Sequence, residues 1–177
     1  MGSNQSTGRA GGQNADASAG VTAVDRERIE QLLGRVPEGD FDVVVRDADG
    51  DPVVIRNAPL LRDGRPMPTR YWLVGEVIRR QIDLLESGGG IQRAREAVDA
   101  NELSAAHRQY ATERDSALPP GHDGPAPYGG VGGTRRGVKC LHAHYAWYLA
   151  GGNDPVGRWV AQQLDGNAGQ GGDESTD

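Results

Sequence analysis

The chain has 177 residues, enough for one domain with a core of useful size. Its formal net charge of −6, from 25 acidic and 19 basic side chains, gives no general nucleic-acid footprint. A single cysteine excludes an intramolecular disulfide and suits a reducing cytoplasm, and no apolar run approaches the ~18–20 residues that span a bilayer.

Residues 1–20 contain nothing apolar larger than alanine after Met1, and residues 165–177 contain nothing larger either. Neither segment can bury enough surface to offset the entropy of ordering, so both are expected to be disordered tails around one domain at 21–164. Met1-Gly2 with Ser6 formally fits a myristoylation pattern, a match that a Gly/Ser-rich tail produces cheaply. The tails carry Arg9, Asp16, Asp165, Asp173, Glu174 and Asp177, which leaves 18 basic and 20 acidic side chains in the expected domain.

In chain order, Asp25–Leu33 has apolar Ile29, Leu32 and Leu33 at helical spacing and ends at Gly34. The β-branched run Phe41–Arg46 and its partner Pro52–Arg56 flank Asp49-Gly50, the signature of a β-hairpin. The aspartates of this turn resemble a calcium loop superficially, but Pro52 and Ala58 stand where such a loop needs glycine and glutamate. Residues 58–69 are loop-like, Tyr71–Val74 extends the sheet by a third strand, and Glu76–Glu86 is an amphipathic helix. On its outer face Glu76/Arg80 and Arg79/Asp83 are spaced to pair. A short helix over 91–99 and a longer one capped by Asn101 and running to about Leu118 follow. After a Pro/Gly connection at 119–137 come helices at 138–150 and 155–164, the second with Asp154 as N-cap and Pro155 at its first position. The fold expected is α+β: an antiparallel hairpin or three-stranded sheet packed with a predominantly helical C-terminal half.

Chemistry concentrates in 129–150. Gly130, Gly132 and Gly133 offer backbone N–H groups to an anion, and Arg135, Arg136 and Lys139 add charge. The run fits neither the Walker pattern nor the dinucleotide fingerprint. If 138–150 is a helix, Cys140, His144 and Trp147 share one face, which makes Cys140 and His144 the candidate catalytic pair. His142 then belongs to the opposite face and joins the glycines, Arg135, Arg136 and Lys139 as a ligand-binding candidate. A helix start with basic neighbours would favour a thiolate at Cys140; the alternative is a buried structural cysteine. His107, His122, His142, His144 and Cys140 match no known zinc spacing, so no metal ligand is assigned.

Three segments, Arg65–Leu73 (RPMPTRYWL), Val138–His142 (VKCLH) and Asn153–Gly157 (NDPVG), resemble, in order, the signature blocks of the bacterial domain-of-unknown-function family 501. The resemblance covers roughly 25–160 and implies a bacterial cytosolic protein with no established activity. Some members carry further cysteines before the first strand and after the third. Here those regions read Arg35–Gly39 and Leu73–Gly75, with none. The leading expectation is binding of a small anionic, phosphate-bearing ligand at the glycine-rich loop, with Cys140 or His144 acting on it. The alternatives are a protein-interaction module of an envelope or division assembly, and a metal protein using Cys140 with histidines.

Overall fold

The computed structural model describes residues 21–168, with side chains through residue 166. The tail expected at 1–20 lies outside the described residues, as do 169–177. Ten elements follow one another: α1 (Ala23–Leu33), β1 (Gly39–Arg46), β2 (Pro52–Leu61), β3 (Tyr71–Leu73), α2 (Glu76–Ser87), α3 (Gly90–Ala97), α4 (Ala100–Ser116), a 3₁₀ turn (Val131–Gly133), α5 (Leu141–Leu149) and α6 (Pro155–Ala168). The expected α+β architecture is what the chain adopts. No helix among the described residues is long and apolar enough to cross a membrane.

The sheet is antiparallel in the order β1-β2-β3. Asp47 fixes the hairpin turn, its Oδ1 accepting the N–H groups of Asp49 and Asp51, while Gly50 takes a φ of 88°. Alternation along β2 sends neighbouring residues to opposite faces. Ile55 joins Ile29, Phe41 and Val74 under α1. Val54 joins the larger core beneath the helical half, with Leu73, Ile82, Tyr110, Leu141, Trp147 and Val160. The sheet is therefore covered on both faces.

Local chemistry sets most boundaries. Thr22 and Asp25 form a capping box at α1, and Gly34 ends that helix in the left-handed region. Among the boundaries that differ from expectation, four stand out. Strand β2 runs to Leu61 because its Leu61 N–H bonds Arg65 O and extends the pairing into the expected loop. Helix α4 is capped by Asp99, whose carboxylate accepts from Asn101 and Glu102, and not by Asn101. Helix α6 continues to Ala168, four residues into the expected tail. Helix α5 starts at Leu141, three residues late, with Cys140 extended (φ −155°, ψ 125°).

The long connection is held from within. Arg114 is 1% exposed and donates to the carbonyls of Pro127, Tyr128 and Gly129. His107 accepts the Val131 N–H at Nδ1 (3.1 Å), so its Nε2–H faces Gly137 O at 3.1 Å. Gly130 packs directly on the His107 ring, leaving no space for a Cβ. The loop is thus ordered by a buried guanidinium and a buried imidazole.

Candidate functional site

The late start of α5 rearranges the expected Cys/His site. On a continuous helix Cys140 and His144 would share a face. Because Cys140 is extended, its Sγ instead lies 3.7 Å from His142 Nδ1. The structure brings Cys140 beside His142, while His144 is turned to Asp154.

His144 is fully buried, with Nδ1 2.7 Å from Asp154 Oδ2 and its ring edge-on to His107 at 5.7 Å between centroids. Its Nε2 has no hydrogen-bond partner among the described residues. The other Asp154 oxygen accepts the Val156 and Gly157 N–H groups at the start of α6. This assembly locks α5 to α6.

His142 sits among acidic groups. Its Nδ1 is 3.3 Å from Glu86 Oε1, and its Nε2 is 3.2 Å from Asp83 Oδ1 and 3.4 Å from Arg79 O. Burial pulls its pKa down, but the Cys140 sulfur, Glu86 and Asp83 outweigh that and raise it to about 9. Glu86 in turn accepts the Leu141 N–H at 2.6 Å, so an acid from the last turn of α2 caps α5. Arg79 reaches Leu32 O, and the expected Arg79/Asp83 pair is replaced by Asp83 facing His142. The expected Glu76/Arg80 pair forms. Cys140 and His142 line a cleft of about 440 Å³ walled by Arg35, Trp72, Arg79 and Asp83, a volume suited to a small molecule. Arg35 lies over the Trp72 ring at 5.3 Å.

The basic loop faces elsewhere. Arg135 and Arg136, with Gly129 and Gly130, line a separate groove of about 420 Å³ against Ser104, Arg108 and Asp115 of α4. Lys139 is exposed and lines neither cavity. Two of the three glycines expected to offer free amides use theirs internally. Gly130 and Gly133 donate to Thr134 O and Gly130 O, and the Val131 N–H goes to His107. Gly132 approaches the Ala143 side chain and Gly133 the Pro68 ring. One composite site is therefore two sites on different walls of the molecule.

Glu86, Asp83 and Arg108 escaped the reading of the sequence. Asp83 and Glu86 do stand three apart, on one ridge of a helix otherwise marked by arginines. Nothing local indicates that this ridge meets a segment more than fifty residues away.

The family described as "Protein of unknown function (DUF501)" matches residues 43–162, about two thirds of the chain. The chain belongs to the DUF501 family. No curated protein and no solved structure matches it. The matched span begins within β1 and ends within α6, so it takes in Glu86, Cys140 and His142 as well as the arginine groove of this DUF501 domain.

Proposed function

We propose that this DUF501 protein binds a small, phosphate-bearing anion in the groove between α4 and the 127–136 loop. One observation carries the reading: Arg108, Arg135 and Arg136 line a single groove, and none of them meets a carboxylate among the described residues. The acid beside them, Asp115, is engaged by Arg114 at 2.8 Å. Three guanidinium groups without counter-charges repel one another, and an anion among them relieves that repulsion while gaining charge-assisted hydrogen bonds. With the Gly130, Val131 and Gly133 amides already used internally, arginine supplies the recognition, and its planar fork suits phosphate oxygens. Arg135 lies over the ring of the exposed Tyr128, 5.8 Å from its centroid, which steadies the guanidinium at the rim of the groove.

Titration calorimetry with inorganic pyrophosphate tests this. Loss of an arginine hydrogen-bonded to an anion costs ~1.5–3 kcal/mol, or roughly 10- to 150-fold in Kd. Arg135→Ala with Arg136→Ala should therefore abolish measurable binding, and Arg108→Ala should weaken it at least tenfold. Arg93→Ala, an exposed arginine that does not line the groove, should leave it unchanged. Equal affinity in wild type and the double variant refutes the placement.

A further inference from the structure

We propose that Glu86, Cys140 and His142 form a binding site for a divalent transition metal, best suited to Zn²⁺, on the wall of the Trp72 cleft. This site is independent of the arginine groove. The three residues each direct one donor atom to a common region, with all three atoms within 4.8 Å of one another. They come from two distant stretches: Glu86 from the last turn of α2, and Cys140 and His142 from the start of α5, the first extended just before the helix and the second its second residue.

The separations agree with what a metal requires. Tetrahedral zinc binds sulfur at ~2.3 Å, imidazole nitrogen at ~2.0–2.1 Å and carboxylate oxygen at ~2.0–2.2 Å. Those bond lengths imply about 3.5 Å between sulfur and nitrogen and about 3.3 Å between nitrogen and oxygen. Here Sγ–Nδ1 is 3.7 Å and Nδ1–Oε1 is 3.3 Å. Two edges of the ligand polyhedron are already close to their metal-bound lengths, and the third, from Sγ to the Glu86 oxygen, is no longer than 4.8 Å.

The surrounding groups point the same way. Asp83 Oδ1 lies 3.2 Å from His142 Nε2, on the side of the ring away from Cys140. A carboxylate there holds the Nε2–H, so a metal that displaces the Nδ1 proton meets a ring already oriented for it, the arrangement found in most metal-bound histidines. The Leu141 N–H fixes the Glu86 carboxylate in the same manner. One thiolate, one imidazole and one carboxylate favour zinc, cobalt or nickel over magnesium and calcium, which prefer oxygen alone. Three protein donors leave a fourth position of a tetrahedral ion for water or another small ligand. Cys140 and His142 both line the cleft, so that position opens towards Trp72 and Arg79.

The test uses full-length protein purified without a histidine tag, loaded with Zn²⁺ or Co²⁺ and dialysed. Elemental analysis should give one zinc per chain, and the cobalt form should show a thiolate-to-cobalt charge-transfer band in the near ultraviolet. Cys140→Ser should remove that band and weaken zinc at least 100-fold. Glu86→Gln keeps an oxygen for the Leu141 N–H, so the α5 cap is retained, and it should weaken zinc at least tenfold. Asp83→Asn should weaken it 10- to 100-fold through His142 alone. Zinc should also protect Cys140 from iodoacetamide. Binding below one-tenth of an equivalent, a charge-transfer band that survives Cys140→Ser, or alkylation unaffected by zinc would each overturn the assignment.

Discussion

Asp154 joins three structural tasks in one buried carboxylate, which makes Asp154→Ala a demanding test of how the C-terminal half holds together. The residue is 1% exposed, and Oδ1 accepts the Val156 and Gly157 N–H groups at 2.9 and 3.0 Å. Oδ2 accepts from His144 Nδ1 at 2.7 Å. Removing a helix cap costs ~0.5–2 kcal/mol, and orphaning a buried N–H costs ~1–3 kcal/mol. Since His144 Nε2 already has no partner among the described residues, the imidazole would be left with none there at either nitrogen. The sum is about 2–5 kcal/mol, a fall in Tm of ~6–12 °C if the loss is about 3 kcal/mol. Equilibrium urea unfolding measures it directly. Asp154→Asn keeps a carbonyl oxygen for the cap and can donate to His144 Nδ1 if the imidazole changes tautomer. It should lose only about 1–2 kcal/mol. A cost below about 1 kcal/mol for Ala, or equal costs for Asn and Ala, would refute this division of labour.

Gly157 lies where α6 crosses α5: a Cβ there would overlap the Tyr148 Cβ and sit 2.8 Å from His144 O. Backbone cannot yield as a side chain does, so Gly157→Ala should cost ~3 kcal/mol or more in urea unfolding. By contrast Gly166→Ala, with open space around it, should be neutral or stabilising by up to about 1 kcal/mol. At the other end of the domain, the Arg46 hydrogen bond holds Asp25 at about pKa 2 against the opposing effect of its own burial. A carboxyl lowered on folding stabilises above its unfolded value of ~3.9 and loses that contribution as pH falls through the folded value. Because Arg46 is partly exposed, screening reduces the effect to about 1–2 kcal/mol. Acid titration of thermal stability should therefore show Asp25→Asn less stable than wild type at pH 7 and converging with it by about pH 2.

The fold was legible wherever local chemistry decides it. Asp49-Gly50 between two β-branched runs specified the hairpin, Ile82 and Leu85 specified the buried face of α2, and Asp154-Pro155 specified the start of α6. Helix ends were harder, because several residues near each end can serve as a cap. Asn101 has capping chemistry, but Asp99 stands two residues earlier with the charged acceptor and wins. The inward face of α4 carries the apolar Leu103, Ala106 and Tyr110. It also buries His107 and Arg114, two polar residues whose partners are loop carbonyls and an amide that only the tertiary fold supplies.

The candidate sites were less legible for a reason specific to helix boundaries. A rotation of 100° per residue relates side chains only within a helix, and Cys140 is the last residue before one. Across that boundary a spacing of two places sulfur and imidazole together, which the same spacing inside a helix forbids. The third donor, Glu86, arrives through packing of α2 beside α5, which joins two helix termini. The C-terminal turn of α2 contributes the acid, and the N-terminal turn of α5 contributes the amide that the acid satisfies. Helix ends leave such groups without partners, and satisfying them brings polar residues from separate segments to one point. The same reasoning divides the basic loop from the thiol. Arg95 binds Val138 O and His107 faces Gly137 O, so the connector is tied down between Arg136 and Cys140. The arginines and the cysteine are close in sequence, yet this anchoring directs them into different cavities.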